Sequence, residues 1–260
     1  MTNQKSPSKA ERREAAREQA RKLREAQARR EKRNRVLIIT GAVVLIIAVA
    51  VAAFFIVQQG TRSVIADVEN VPANSDVEDG GISIGSDMAA GTENEGAPVL
   101  NVYLDFACPH CADFEQINAE DIDQMVADGE VTAVYHPVSL LSRGDRQSWS
   151  WRAAEAAAVV ADQAPEQYNA FQTALFELYA QSGGQTQPSD EQIVQAARDA
   201  GVPQDVAQTI PQQTFDEWVD ATTRQFSRDG FEGTPTVLVD GEEFQNWSEP
   251  GALADAVGGE

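Results

Sequence analysis

The stretch VLNVYLDFACPHC, residues 99–111, joins an apolar run to the only two cysteines of a 260-residue chain. Residues 99–106 are apolar enough for a strand buried on both faces. Beyond the cysteines, Phe114, Ile117, Asp121, Ile122, Met125 and Val126 recur near a period of 3.6, and Gly129 supplies a stop. The motif Cys108-Pro109-His110-Cys111 therefore falls where a strand hands over to a helix. Proline suits the first helical position, because its missing N–H is one the helix leaves unpaired anyway. Cys108 is then expected at the N-cap, with its sulfur facing the free amides of His110 and Cys111.

That position favours an anion. The helix dipole, the free amides and the neighbouring His110 imidazole each lower a thiol pKa from about 8.5 toward the range of about 3.5–7.5 found at such sites. Cys111, one turn further on, is expected to point inward and stay protonated. The pair would then be asymmetric, with Cys108 attacking and Cys111 resolving. A disulfide across two residues closes too small a ring to staple a fold. Metal binding would require Cys108, His110, Cys111 and the remote His136, and neighbouring ligands on one turn are strained. A redox pair with no metal and no organic cofactor is the expectation, with Pro109 and His110 as part of the catalytic motif.

The rest of the chain supports a strand–helix–strand core. VTAVY, residues 131–135, reads as a second strand, parallel to the first through a right-handed crossover. An Ala-rich helical block follows, with Trp149, Trp151 and Trp218 on its apolar stripes. TVLV, residues 236–239, returns to strand and meets a hairpin turn at Asp240-Gly241. A closing helix is expected over residues 250–257. Ile82-Ser83-Ile84 reads as a short strand ahead of the core, and His136 as a satisfied loop histidine.

Upstream, residues 36–57 are 22 residues without a charge. At about 1.5 Å per residue they span roughly 33 Å, enough for a bilayer core of about 30 Å. Residues 1–35 carry 13 Lys/Arg against 5 Glu, a net of +8, whereas residues 58–260 carry 7 Arg, no Lys and 36 Asp/Glu, a net of −29. The positive-inside rule places the basic arm in the cytoplasm and the acidic remainder outside. The expected organisation is a basic arm (1–35), one transmembrane helix (36–57) and a linker (58–80). A two-part α/β domain (81–143 and 230–260) then follows, interrupted by a helical insertion (144–229). A cleaved signal peptide is the alternative, with Val64-Ile65-Ala66 as the cleavage site, against which stand the long arm and the long apolar run. The acidic outer part excludes nucleic-acid binding, which needs a basic face.

DFACPHC (residues 105–111) together with GTPTVLVDG (residues 233–241) resembles the DsbA-like branch of the thioredoxin superfamily, in a membrane-anchored form of the actinobacterial type. YHPVSL, residues 135–140, and the Ala-rich helix resemble it too, so the likeness covers roughly residues 99–257. It implies a thioredoxin fold with an inserted helical domain. Pro235 would be a cis-proline facing the motif, and Thr234 would leave its backbone open to an extended substrate chain. It also implies oxidation of cysteines in exported proteins, with reoxidation by a membrane partner of the DsbB or vitamin K epoxide reductase type. Reductase or isomerase action on the same scaffold stays open, as does a membrane-tethered binding or chaperone module with incidental thiols, since Thr234 does not settle direction. One departure is clear. Many relatives carry a buried acid six residues before the first cysteine, where this chain has Val102. Asp105, three before it, is left to a water-mediated, capping or surface role.

Overall fold

The computed structural model describes residues 63–183 and 187–258 throughout, and helical residues scattered between 21 and 51. The chain divides into two units, Met1–Thr61 and Arg62–Glu260. In the first, the helix Lys32–Val51 is long and apolar enough to cross a membrane, with a mean hydropathy of 2.4. Its Ile39, Val43, Leu45 and Ile46 are exposed. Parts of the expected arm (1–20), of the expected span (52–57) and of the linker (58–62) lie outside the described residues.

The second unit is built on five strands. These are β1 (Ile82–Ile84), β2 (Val99–Leu104), β3 (Thr132–Pro137), β4 (Thr236–Val239) and β5 (Glu242–Glu243), in spatial order β1-β3-β2-β4-β5. The central strand β2 pairs in parallel with β3 and antiparallel with β4. With both edges paired it lies inside the sheet, and its apolar side chains are buried or half-buried along its length. The helix α1 (Pro109–Ala127) joins β2 to β3. It buries Cys111, Phe114, Ile122, Met125 and Val126 at helical spacing. Gly129, at φ 78°, takes the left-handed turn that ends it. The β4–β5 hairpin turns on Asp240 and Gly241, at φ 50° and 83°, the paired positive angles of the tight turn that Asp-Gly favours.

Between β3 and β4 come α2 (Trp149–Gln163), α3 (Tyr168–Gln181), α4 (Asp190–Asp199), α5 (Gln204–Ala207) and α6 (Asp216–Arg228), and α7 (Ala252–Gly258) closes the fold. Ser148 caps α2 by accepting a hydrogen bond from the Trp151 amide. Ala153, Ala154, Ala156, Ala157, Ala158 and Ala161 of α2 are buried, so this helix is surrounded rather than amphipathic. One continuous core runs from the sheet through α1 into α2 and α3, and Trp149, Trp151 and Trp218 all belong to it.

Two expectations need correcting. Residues 63–80 are not a free spacer. Ile65 is buried, Val64, Val68 and Val71 pack on the core, and the Asn74 amide donates to the Ala161 carbonyl. Short apolar residues without a sustained period disguised this docking. His136 lies in a strand rather than a loop, because β2 continues alongside as far as Leu104, opposite Pro137.

Candidate redox site

The motif sits where the sequence places it. Cys108 is the N-cap of α1 in extended conformation, and Pro109 opens the helix. Carbonyl acceptance holds the turn: the Cys111 and Ala112 amides both donate to the Cys108 carbonyl, at 3.1 and 3.2 Å. Both thiols are unpaired, so this is the dithiol form. The Cys108 thiol donates to the Thr234 carbonyl oxygen at 3.2 Å. The Thr234-Pro235 peptide is cis. Cys111 faces inward and is buried, and its sulfur accepts the Asp105 amide at 3.5 Å. The structure thus brings Cys108, Pro109, Cys111, Thr234 and Pro235 together across 126 residues of chain.

The two sulfurs differ sharply. The Cys108 pKa is pulled down to about 5. The first cause is the hydrogen bond that the Cys111 thiol offers it; burial opposes, and the Thr234 side chain and the Cys111 and His110 amides add to the lowering. Burial, followed by the hydrogen bond to Cys108 and then the nearby Cys108 charge, pushes the Cys111 thiol well above its ordinary range. This revises the expected causes. No side-chain capping bond of ordinary geometry reaches the Cys108 sulfur, so the amides at the helix start act as secondary neighbours. The His110 ring is 74% exposed and turned to the Asp113 carboxylate at 3.7 Å, so its backbone rather than its imidazole serves Cys108.

Asp105 is not a surface group. It is fully buried, and its carboxylate accepts three hydrogen bonds at 2.8 Å, from the Ala107 amide, the Leu141 amide and the Ser150 hydroxyl. Burial pushes its pKa up, and the Cys108 charge adds to that. One residue therefore ties the loop before the motif to the loop after β3 and to α2, while its amide touches the Cys111 sulfur. Sequence reasoning missed these partners. An acid directly after an apolar strand and before the motif was the available signal. The Trp149 indole adds a second tie, donating to the Phe106 carbonyl at 2.9 Å. His136 stands apart from the motif, with Nε2 2.9 Å from Asn101 Oδ1 and its ring stacked on Tyr103.

A dithiol of two-residue spacing at a helix start, facing a Thr-Pro turn beside the central strand, defines a thioredoxin-fold protein. The family model described as Thioredoxin matches residues 84–257. Among solved structures, MdbA, a thiol-disulfide oxidoreductase from Actinomyces oris, is 31% identical, with a TM-score of 0.64, covering 75% of this chain and 94% of that one. Oxidised DsbA from Mycobacterium tuberculosis is 31% identical, with a TM-score of 0.58, covering 68% and 90%. The chain belongs to the thioredoxin family and, within it, to the DsbA-type thiol-disulfide oxidoreductases. A further relative is the serine/threonine-protein kinase PknE of Mycobacterium tuberculosis, 27% identical over 68% of this chain. The chain spans only 31% of the length of that relative.

Proposed function

We propose that this protein is a membrane-anchored oxidase that introduces disulfides into exported proteins. The observation that carries the reading is the asymmetry of the two sulfurs, one held near pKa 5 and one pushed far up. A stabilised Cys108 thiolate favours the dithiol form and so makes the disulfide a strong oxidant. In the oxidised protein a substrate thiolate attacks the Cys108 sulfur, and the Cys108–Cys111 bond breaks. Cys111 leaves with the electron pair and takes a proton, as its raised pKa favours. The amide of Asp105 lies against that sulfur as charge develops there. A second substrate thiolate then attacks the substrate sulfur of the mixed disulfide and releases Cys108 as a thiolate. Two electrons pass from substrate to protein, and the substrate leaves with a disulfide.

Thr234 and Pro235 form the wall along which an extended substrate backbone lies. The dithiol must be reoxidised, which calls for a membrane partner of the DsbB or vitamin K epoxide reductase type. The outward placement rests on the charge contrast across the apolar helix, +8 before it and −29 after it. The test is Cys111→Ser expressed in cells. It should trap exported proteins on Cys108 as mixed disulfides that a reductant releases. Recovery of cytoplasmic proteins only, or of no mixed disulfides, would overturn the reading.

A further inference from the structure

We infer that the site selects substrates carrying a lysine or arginine next to the cysteine to be oxidised. The inference rests on the oxidase reading and names the substrate class of that same site. A hollow of about 440 Å³ opens beside Thr234, whose carbonyl touches the Cys108 sulfur. Its lining includes Phe231, Pro235 and Trp247 together with Glu232 and Glu243. A second hollow of about 420 Å³ adjoins it, lined by His110, Asp113 and Ile117 among others. Trp247 and His110 belong to both hollows.

The chemistry of these walls points to one kind of occupant. Glu232, Glu243 and Asp113 are exposed acidic side chains. Among the described residues, neither hollow is lined by a lysine or arginine. A peptide crossing Thr234 with its cysteine at Cys108 lays the adjoining side chains into the hollows. A lysine or arginine there rests its apolar stem on Trp247 and Pro235 and places its charge between the carboxylates. The indole face adds cation–π attraction. A glutamate in the same place meets like charges. The aromatic and the acidic parts of the lining therefore favour the same residue, and neither alone would specify it. Trp247 is itself fixed, with its ring against Phe114 and its carbonyl accepting from the Asn118 amide at 3.0 Å.

The test uses the full-length chain in uncharged detergent and two dithiol peptides that differ only in Lys or Glu beside the first cysteine. Opposed charges at contact distance in high dielectric predict oxidation of the Lys peptide roughly tenfold faster at low salt. The ratio should fall toward one in high salt, where exposed charges are screened. Glu232→Lys combined with Glu243→Lys should invert it. The basic arm is the same in both proteins, so the comparison isolates the hollow. A ratio near one at low salt, or one unmoved by the double substitution, would overturn the inference. Affinities of the same peptides with serine in place of cysteine read the selection without redox chemistry. If the unaltered protein failed to oxidise dithiothreitol, the oxidase reading would fall, while the serine-peptide affinities would still decide the groove.

Discussion

Replacing Cys111 by alanine should raise the Cys108 pKa by about 1–2 units. The reason is the order of causes at that sulfur, where the hydrogen bond from the Cys111 thiol comes first. A hydrogen bond to a charged acceptor is worth about 1.5–3 kcal/mol, and about 1.4 kcal/mol corresponds to one pKa unit. Cys108 should therefore move from about 5 toward about 6–7. The helix dipole contributes about 0.3–1 kcal/mol in an exposed setting and up to about 2 in the best buried one. It cannot by itself hold the thiolate where the pair holds it. Cys111→Ser keeps a donor of shorter reach and should fall between the wild type and the alanine variant. Thiolate absorbance near 240 nm, followed against pH, reads all three proteins. An alanine variant still titrating near 5 would refute the reasoning and return the whole effect to the helix start.

Three further outcomes follow from the same structure. The depressed Cys108 pKa makes the dithiol form gain stability as pH rises from about 5 toward the ordinary thiol range, a gain the disulfide form lacks. The melting-temperature gap favouring the dithiol form should widen between pH 5 and pH 8; a constant gap would contradict this. Glu115 is buried, with a pKa pushed up to about 7 first by burial, so stability is lost as pH rises from the ordinary carboxyl range through that value. Glu115→Gln should stabilise the protein by about 2–3 kcal/mol at pH 8 and do little at pH 4 in urea titrations, since Gln172 Oε1 is a buried acceptor awaiting a donor. Trp149→Phe removes the donor to the buried Phe106 carbonyl and should cost about 1–3 kcal/mol in the same assay.

The parts of the fold legible in the sequence were those set by neighbours in the chain. The strand–turn–helix around Cys108 follows from apolar composition, Pro109 and helical spacing, and the β4–β5 hairpin follows from Asp240-Gly241. What stayed illegible depends on distant partners. Asp105 is held by Leu141 and Ser150, 36 and 45 residues further on, and nothing local announces them. The direction of the His110 ring, exposed and turned to Asp113, is a rotamer choice that periodicity does not encode. The docking of residues 63–80 depends on a groove made by α2 and α6, to which Asn74 and Val64 hydrogen-bond. The cause of the Cys108 shift was misjudged for a related reason. The motif shows two cysteines at a spacing, but the sulfur-to-sulfur hydrogen bond emerges only once the helix buries one of them.

The most direct test is the equilibrium reduction potential of the Cys108–Cys111 pair against glutathione. A thiolate stabilised as it is here predicts an oxidising pair, above about −180 mV and toward the value of about −120 mV of strong disulfide donors. A potential near about −270 mV, that of thioredoxin, would contradict the account.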